Sequence, residues 1–281
     1  MNKREVEQIL LEHGISVKKK FGQNFLLDKN VLTKIATSLN TNESKNTIEI
    51  GPGLGFLTNE LVKQSENLVL YEIDEEMVSF LSTKSFPHTT IRNIDILQVN
   101  LEKEIQEYFK DESVSLIANL PYYITTAILT KFLTETKQVE NMVVMMQKEV
   151  AERICGKPKT KDYNALSVFI QYYSNAKILF NVSPQSFYPA PEVESSVVLI
   201  KRKEIENKAI NEDEFNKFVK DIFSQRRKTL MNNISKSSIL NKVSKEYVKE
   251  ILEKQGHSLS VRSEELSVNE IVNLFNDIYK N

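Results

Sequence analysis

Seven glycines serve a chain of 281 residues, and three of them, Gly51, Gly53 and Gly55, fall within five positions. Glycine concentrated in this way marks a place where the backbone needs unusual dihedrals or where a ligand lies against bare main chain. The segment Glu49-Ile50-Gly51-Pro52-Gly53-Leu54-Gly55 follows an apolar run and opens an amphipathic one, which predicts a strand, a turn and a helix. A dinucleotide fingerprint would need glycine at 56, where Phe56 stands, so the loop suits a ligand resting on backbone better than a pyrophosphate. Glu72 lies 21 residues after Gly51. At that spacing, a carboxylate at the end of the second strand either accepts from both hydroxyls of a ribose or is a solvated surface acid, and the glycine loop before it favours the ribose.

Asp95 follows the next strand candidate. It is either an acceptor for an exocyclic amine such as that of adenine, flanked by Ile73 and Ile96 as a ring sandwich, or a turn-forming Asp. A nucleoside without a phosphate partner, in a chain lacking the GxxxxGK lysine signature, indicates S-adenosylmethionine.

The second constellation is Asn119-Leu120-Pro121-Tyr122-Tyr123. Methylating an aromatic exocyclic amine requires freeing a lone pair that is delocalised into the ring. The Asn119 side-chain oxygen and the Leu120 carbonyl, accepting from the two N–H groups, would pull the nitrogen pyramidal. Pro121 fixes φ and removes a competing donor. Tyr122 offers a face for the base to stack on, worth about 1–3 kcal/mol. Alignment of sulfur, methyl and nitrogen supplies a further contribution on the order of several kcal/mol, and no strong base is needed. A third segment, Phe187-Tyr188-Pro189-Ala190-Pro191, is stiff, and Phe187 either stacks on the other face of a flipped base or fills the core.

These residues must be held by strands and helices in alternation. Thr47–Ile50, Leu68–Ile73, Thr90–Ile94, Val114–Ala118 and Met142–Met146 read as strands, with helices over Phe56–Gln64, Glu75–Thr83, Thr125–Leu133 and Glu149–Ile154. The pattern predicts an α/β fold: a parallel sheet with helices on both faces, the glycine turn at the carboxyl end of its first strand. Asn164–Tyr173 reads as a helix, Lys177–Val182 and Ser196–Lys201 as two more strands. Before residue 46, helices over Glu5–Glu12 and from an Asp28 N-cap flank a loop. From 212 onward the periodicity is helical only, which predicts three regions: 1–46, 47–203 and a smaller all-helical domain over 204–281.

Composition excludes several classes. Hydrophobic residues make up 41% and charged residues 27%, and no apolar run approaches the ~20 residues that cross a bilayer. The lone Cys155 and three scattered histidines suggest no metal site, and the N-terminus leads into no apolar signal, so the cytoplasm is expected. A net charge of −1 means that any nucleic acid is met by local patches. Candidates are Lys18–Lys20, Lys157/Lys159/Lys161, Lys201–Lys203 and Arg226-Arg227-Lys228.

Gln23-Asn24-Phe25-Leu26, the glycine loop, Asn119–Ile124 and Phe187–Pro191, in that order, resemble the small-subunit ribosomal RNA adenine dimethyltransferases. The resemblance implies a Rossmann-like class I S-adenosylmethionine-dependent methyltransferase domain. It implies dimethylation of N6 of two adjacent adenosines near the 3′ end of small-subunit rRNA, within a pre-assembled subunit late in its biogenesis. It carries cofactor contacts onto Asn24, Leu26, Gly51, Glu72, Asp95 and Asn119, beside Gly53, with the N-terminal arm closing over the cofactor. It sets the helical domain, and Arg226, Arg227 and Lys228 above all, against rRNA, and a monomer is expected. Ala127 departs from the proline common there and puts nothing catalytic in doubt. Two rivals remain. One is a large-subunit rRNA adenine methyltransferase of the macrolide-resistance type, which Leu120 and Ile124-Thr125-Thr126 disfavour. The other is a non-catalytic assembly or transcription factor, which the intact Asn119–Tyr122 segment disfavours.

Overall fold

The computed structural model describes residues 3–18, 22–43, 45–235, 237–241 and 243–280. Two compact units make up the chain. The first takes residues up to Ala151 together with Ala176–Arg202; the second takes Glu152–Asn175 and the chain from Lys203 onward.

The first unit is built on a seven-stranded sheet. In chain order its strands are β2 (Asn46–Ile50), β3 (Asn67–Glu72), β4 (Thr89–Asn93), β5 (Val114–Asn119), β6 (Val139–Gln147), β7 (Ser174–Val182) and β9 (Ser195–Arg202), and in space they lie 4-3-2-5-6-9-7. The first five pair in parallel, and β9 runs antiparallel to β6. All five residues of β2 are buried, as expected for a strand covered on both faces. The strand order reverses between β2 and β5, so a crevice opens at the carboxyl ends of those two strands. Helices α3 (Thr58–Leu61), α4 (Glu75–Ser82), α5 (Leu101–Phe109), α6 (Thr125–Thr134) and α7 (Lys148–Ile154) connect them. The expected helix over Phe56–Gln64 shortens at both ends to α3, with the left-handed Gly55 (φ +76) belonging to the turn before it. α5, capped by Asn100, was not foreseen.

The arm adds α1 (Lys3–Glu12) and α2 (Lys29–Ala36), the latter capped by Asp28 as expected. Between them a short strand, β1 (Phe25–Leu26), pairs antiparallel with β8 (Phe187–Tyr188). Neither two-residue strand is long enough to show a period in sequence.

The second unit is helical. It holds α8 (Ala165–Tyr173), α9 (Glu212–Ile222), α10 (Leu230–Ile234), α11 (Lys245–Lys254) and α12 (Val268–Tyr279). Rings make its core: Tyr172 meets Phe215 at 4.9 Å, and Phe215 meets Phe275 at 5.5 Å. These contacts group α8 with the helical tail, whereas the division expected at 204 left it with the sheet. No helix among the described residues is long and apolar enough to cross a membrane.

Candidate active site

The glycine turn leaves β2 with three left-handed residues, Gly51 (φ +64), Gly53 (φ +55) and Gly55. At Gly53 a β-carbon would stand 3.1 Å from the Phe25 ring, so the arm closes directly onto the bare backbone. At Gly51 the nearest atoms to such a carbon belong to Pro121, at 3.8 Å, so the turns that leave β2 and β5 abut.

Glu72 ends β3, and both carboxylate oxygens face N–H groups. Oε2 accepts from Gly53 N at 3.2 Å, and Oε1 accepts from Asp74 N at 2.9 Å. Burial pushes its carboxyl above the ordinary range, opposed by those backbone donors. Asp95 accepts from Leu97 N at 2.9 Å through Oδ1, a turn-forming role that leaves Oδ2 available to a ligand. The turn-forming reading of Asp95 holds, and the cleft position of the residue keeps the acceptor reading open. Ile73 is exposed and Ile96 buried, and both line the same cleft as Asp95.

Asn119 is the last residue of β5. Its Nδ2 donates to the Asn24 carbonyl at 3.3 Å, which leaves Oδ1 as the accepting end of a side chain that lines the cleft. Leu120 N continues the ladder to Met145 O at 3.1 Å. The Pro121 carbonyl is taken by Ile124 N and Thr125 Oγ1. Tyr122 is half-buried, and its hydroxyl meets Ser195 Oγ at 2.7 Å, which fixes the ring beside the cleft.

A single cleft is therefore lined by Asn24, Leu26, Gly51, Gly53, Glu72, Asp95, Asn119, Leu120, Pro121 and Tyr122. Phe187 is not among them. The β1–β8 register sets it opposite Leu26, and it is buried in the core with Leu57 and Val197, so the core alternative describes it. Glu49 was missed by sequence reasoning. It lines the cleft yet is 1% exposed, accepts from Thr58 Oγ1 at 2.7 Å, and has its carboxyl pushed up to about 8 by burial. Tyr123, also unforeseen, stands exposed at the mouth.

The basic candidates scatter. Lys18 turns onto Asp74 and Glu76, while Lys19 and Lys20 lie outside the described residues. Lys201 pairs with Glu43 at 2.6 Å, and Arg202 donates to the carbonyls of Phe132, Leu133, Thr136 and Val139, closing the end of α6. In the second unit Arg226 pairs with Glu264 at 2.6 Å, and Arg227 and Lys228 are exposed on the turn after α9. Lys157, Lys159 and Lys161 are exposed on a loop of the same unit, joined to Glu264 by a bond from Lys159 N to its carbonyl.

The strand order, the glycine turn after the first sheet strand and the acid after the second define a class I S-adenosylmethionine-dependent methyltransferase. The family model for ribosomal RNA adenine dimethylase matches residues 14–278, and the chain belongs to that family. A ribosomal RNA small subunit methyltransferase A from Alkaliphilus oremlandii is 38% identical, the match covering 99% of this chain and 97% of that one. The protein of the same name from Bacillus cytotoxicus is 42% identical, with 96% and 94% covered. Among solved structures, a dimethyladenosine transferase from Plasmodium falciparum superposes with a TM-score of 0.78 at 24% identity, over 91% of this chain and 98% of that one. The 23S rRNA methyltransferase ErmE gives 0.66 at 21% identity, over 91% and 99%. Likeness at these identities shows the fold.

Proposed function

We propose that this enzyme dimethylates N6 of two adjacent adenosines near the 3′ end of small-subunit rRNA, acting late in small-subunit assembly. The observation that carries the reading is the Asn119 amide. Its nitrogen is committed to Asn24, so its oxygen faces the cleft as an acceptor for the target amine. The Leu120 carbonyl is the second acceptor in the proposed arrangement, and Tyr122, tethered through Ser195, is the stacking face.

The donor half fits S-adenosylmethionine on chemical grounds. Bare backbone at Gly51 and Gly53, a buried carboxylate at the end of β3 and an acceptor at Asp95 match a nucleoside that brings no phosphate. When bound, it supplies an electrophilic methyl group on sulfur. Asn24 and Leu26 hold it from the arm side, and Glu72 and Asp95 hold it from the sheet side. The amine's proton becomes acidic only after attack, so solvent is a sufficient acceptor.

The helical unit meets rRNA through Arg227 and Lys228, with Arg226 positioned by Glu264. The curated relatives cited above carry a small-subunit name, which supports that substrate over the large-subunit alternative. We place the enzyme in the cytoplasm, where subunits mature, and as a monomer. The test is incubation with labelled S-adenosylmethionine and unmethylated small or large subunits, followed by mapping of modified adenosines. Label in two adjacent adenosines of the small subunit is expected; label only in large subunits overturns the reading.

A further inference from the structure

Asp74 is a carboxylate with 2% exposure, two residues beyond Glu72, and among the described residues the arm supplies two of the three donors to its side chain. Lys18 Nζ donates to Oδ1 at 2.6 Å and Gln23 Nε2 donates to Oδ2 at 2.9 Å; Glu76 N, opening α4, also reaches Oδ1 at 3.2 Å. Lys18 reaches Glu76 Oε1 at 2.9 Å as well. Gln23 is fixed in turn, because its Oε1 accepts from Lys18 N at 2.8 Å. The Asp74 backbone N–H is the donor that holds Glu72 Oε1.

Two buried carboxylates so close in the chain repel each other unless a cation compensates. Lys18 is the cation the structure places there. The network also runs the other way: Gln23 precedes Asn24, whose carbonyl takes the Asn119 amide. A continuous path of bonds therefore links the ribose acid to the residue that faces the target amine, and it passes through the arm.

We propose that Lys18 and Gln23 are positioning residues for the methyl-donor site: by clamping Asp74 they hold the Glu72 carboxylate in place for the ribose and keep the arm closed over the donor. Lys18 is not among the residues that line the cleft; Gln23 lines it, with its amide nitrogen held on Asp74. Lys18 belongs to the same basic run as Lys19 and Lys20, which sequence alone offered as an RNA contact, so the proposal assigns it a different job. It rests on Glu72 being the ribose acceptor.

The experiment measures the dissociation constant of S-adenosylhomocysteine by calorimetry for the full-length protein, with KM and kcat for S-adenosylmethionine and KM for unmethylated small subunits. Lys18→Met is expected to weaken S-adenosylhomocysteine on the order of tenfold, an ordinary size for coupling between linked sites. The donor KM rises in parallel, while kcat at saturating donor and the subunit KM stay within about twofold. Lys18→Arg restores donor affinity. Should Lys18→Met prove too unstable to assay, Gln23→Ala removes one donor and leaves the cation, and a smaller loss in the same direction is expected. Unchanged S-adenosylhomocysteine affinity in Lys18→Met, or a raised subunit KM in its place, overturns the proposal. Glu72→Ala separates the layers. If it weakens the ligand while Lys18→Met does not, the clamp alone fails; if neither does, the ribose assignment fails and takes the clamp with it.

Discussion

Asn119 donates its side-chain amide to the main-chain carbonyl of Asn24 at 3.3 Å, across 95 residues of sequence. The bond settles which end of the amide is which, since a carbonyl can only accept. It thereby leaves Oδ1 as the accepting end and ties the end of β5 to the arm.

Replacing Asn119 by Ala removes the acceptor proposed for the pyramidalising amine, and a tie on the arm as well. The first effect acts on the transition state, so kcat is expected to fall by about 10²-fold or more, the scale of losing one preorganised polar group. Donor affinity falls only severalfold. Single-turnover transfer of labelled methyl groups to small subunits, compared with donor binding, checks the split. A variant that keeps normal kcat removes Asn119 from the chemistry.

At Gly53, Ala is expected to be costly twice over. The left-handed backbone at φ +55 penalises a side chain by about 1–2 kcal/mol. The new carbon would also press on the Phe25 ring at 3.1 Å, which must move and carry Asn24 with it. The expected outcome is a melting temperature lower by a few degrees and weaker donor binding, read by calorimetry. Restored donor affinity in a Gly53→Ala, Phe25→Leu double variant would show the ring contact to be the cause.

Much of this site is legible in the sequence because local rules govern it. Gly51 and Gly53 need left-handed dihedrals, Glu72 follows by a spacing that the fold fixes, and Asn119 ends a strand that reads as one. What sequence hides is pairing at a distance. Lys18 and Asp74 are 56 residues apart, and nothing local distinguishes an inward lysine from its neighbours in a basic run. The β1–β8 ribbon joins two dipeptides, too short for any period, and its register decides that Phe187 faces the core. Helix α5 escapes for another reason: Leu101, Ile105 and Phe109 carry its apolar face, but dense charge between them masks the stripe. Glu49 looks like a solvated acid until the sheet covers it on both sides.

That burial has a pH signature. The Glu49 carboxyl is pushed up to about 8, against an ordinary value near 4.5. Between those values the unfolded chain has lost the proton and the folded chain keeps it, so stability falls as pH rises from about 4.5 and levels off above about 8. The full loss is on the order of 5 kcal/mol at most. Glu49→Gln keeps an acceptor for Thr58 Oγ1 and cannot ionise. It is expected to melt higher than the natural protein at pH 8.5 and no higher at pH 4.5, as scanning calorimetry would record. A constant difference across that range would mean that Glu49 is ionised in the fold throughout.

In the helical unit, the three cations of the turn after α9 are not equivalent. All three are exposed, but Arg226 is already engaged, its Nε 2.6 Å from Glu264 Oε2 and an Nη 3.4 Å from the Thr160 carbonyl. A phosphate contact made by an uncommitted cation releases counterions. Each such contact adds about 0.7–0.9 to the slope of log affinity against log salt. The Arg227→Ala, Lys228→Ala double variant is therefore expected to flatten the salt dependence of small-subunit binding by about 1.5. Arg226→Ala should leave that slope nearly unchanged, since its charge is largely spent on Glu264, and should instead free the 157–161 loop for faster amide exchange. Filter binding between about 50 and 200 mM salt resolves the difference. If Arg226→Ala flattens the slope as much as the double variant does, the Glu264 pair opens on rRNA and all three cations are contacts of one kind.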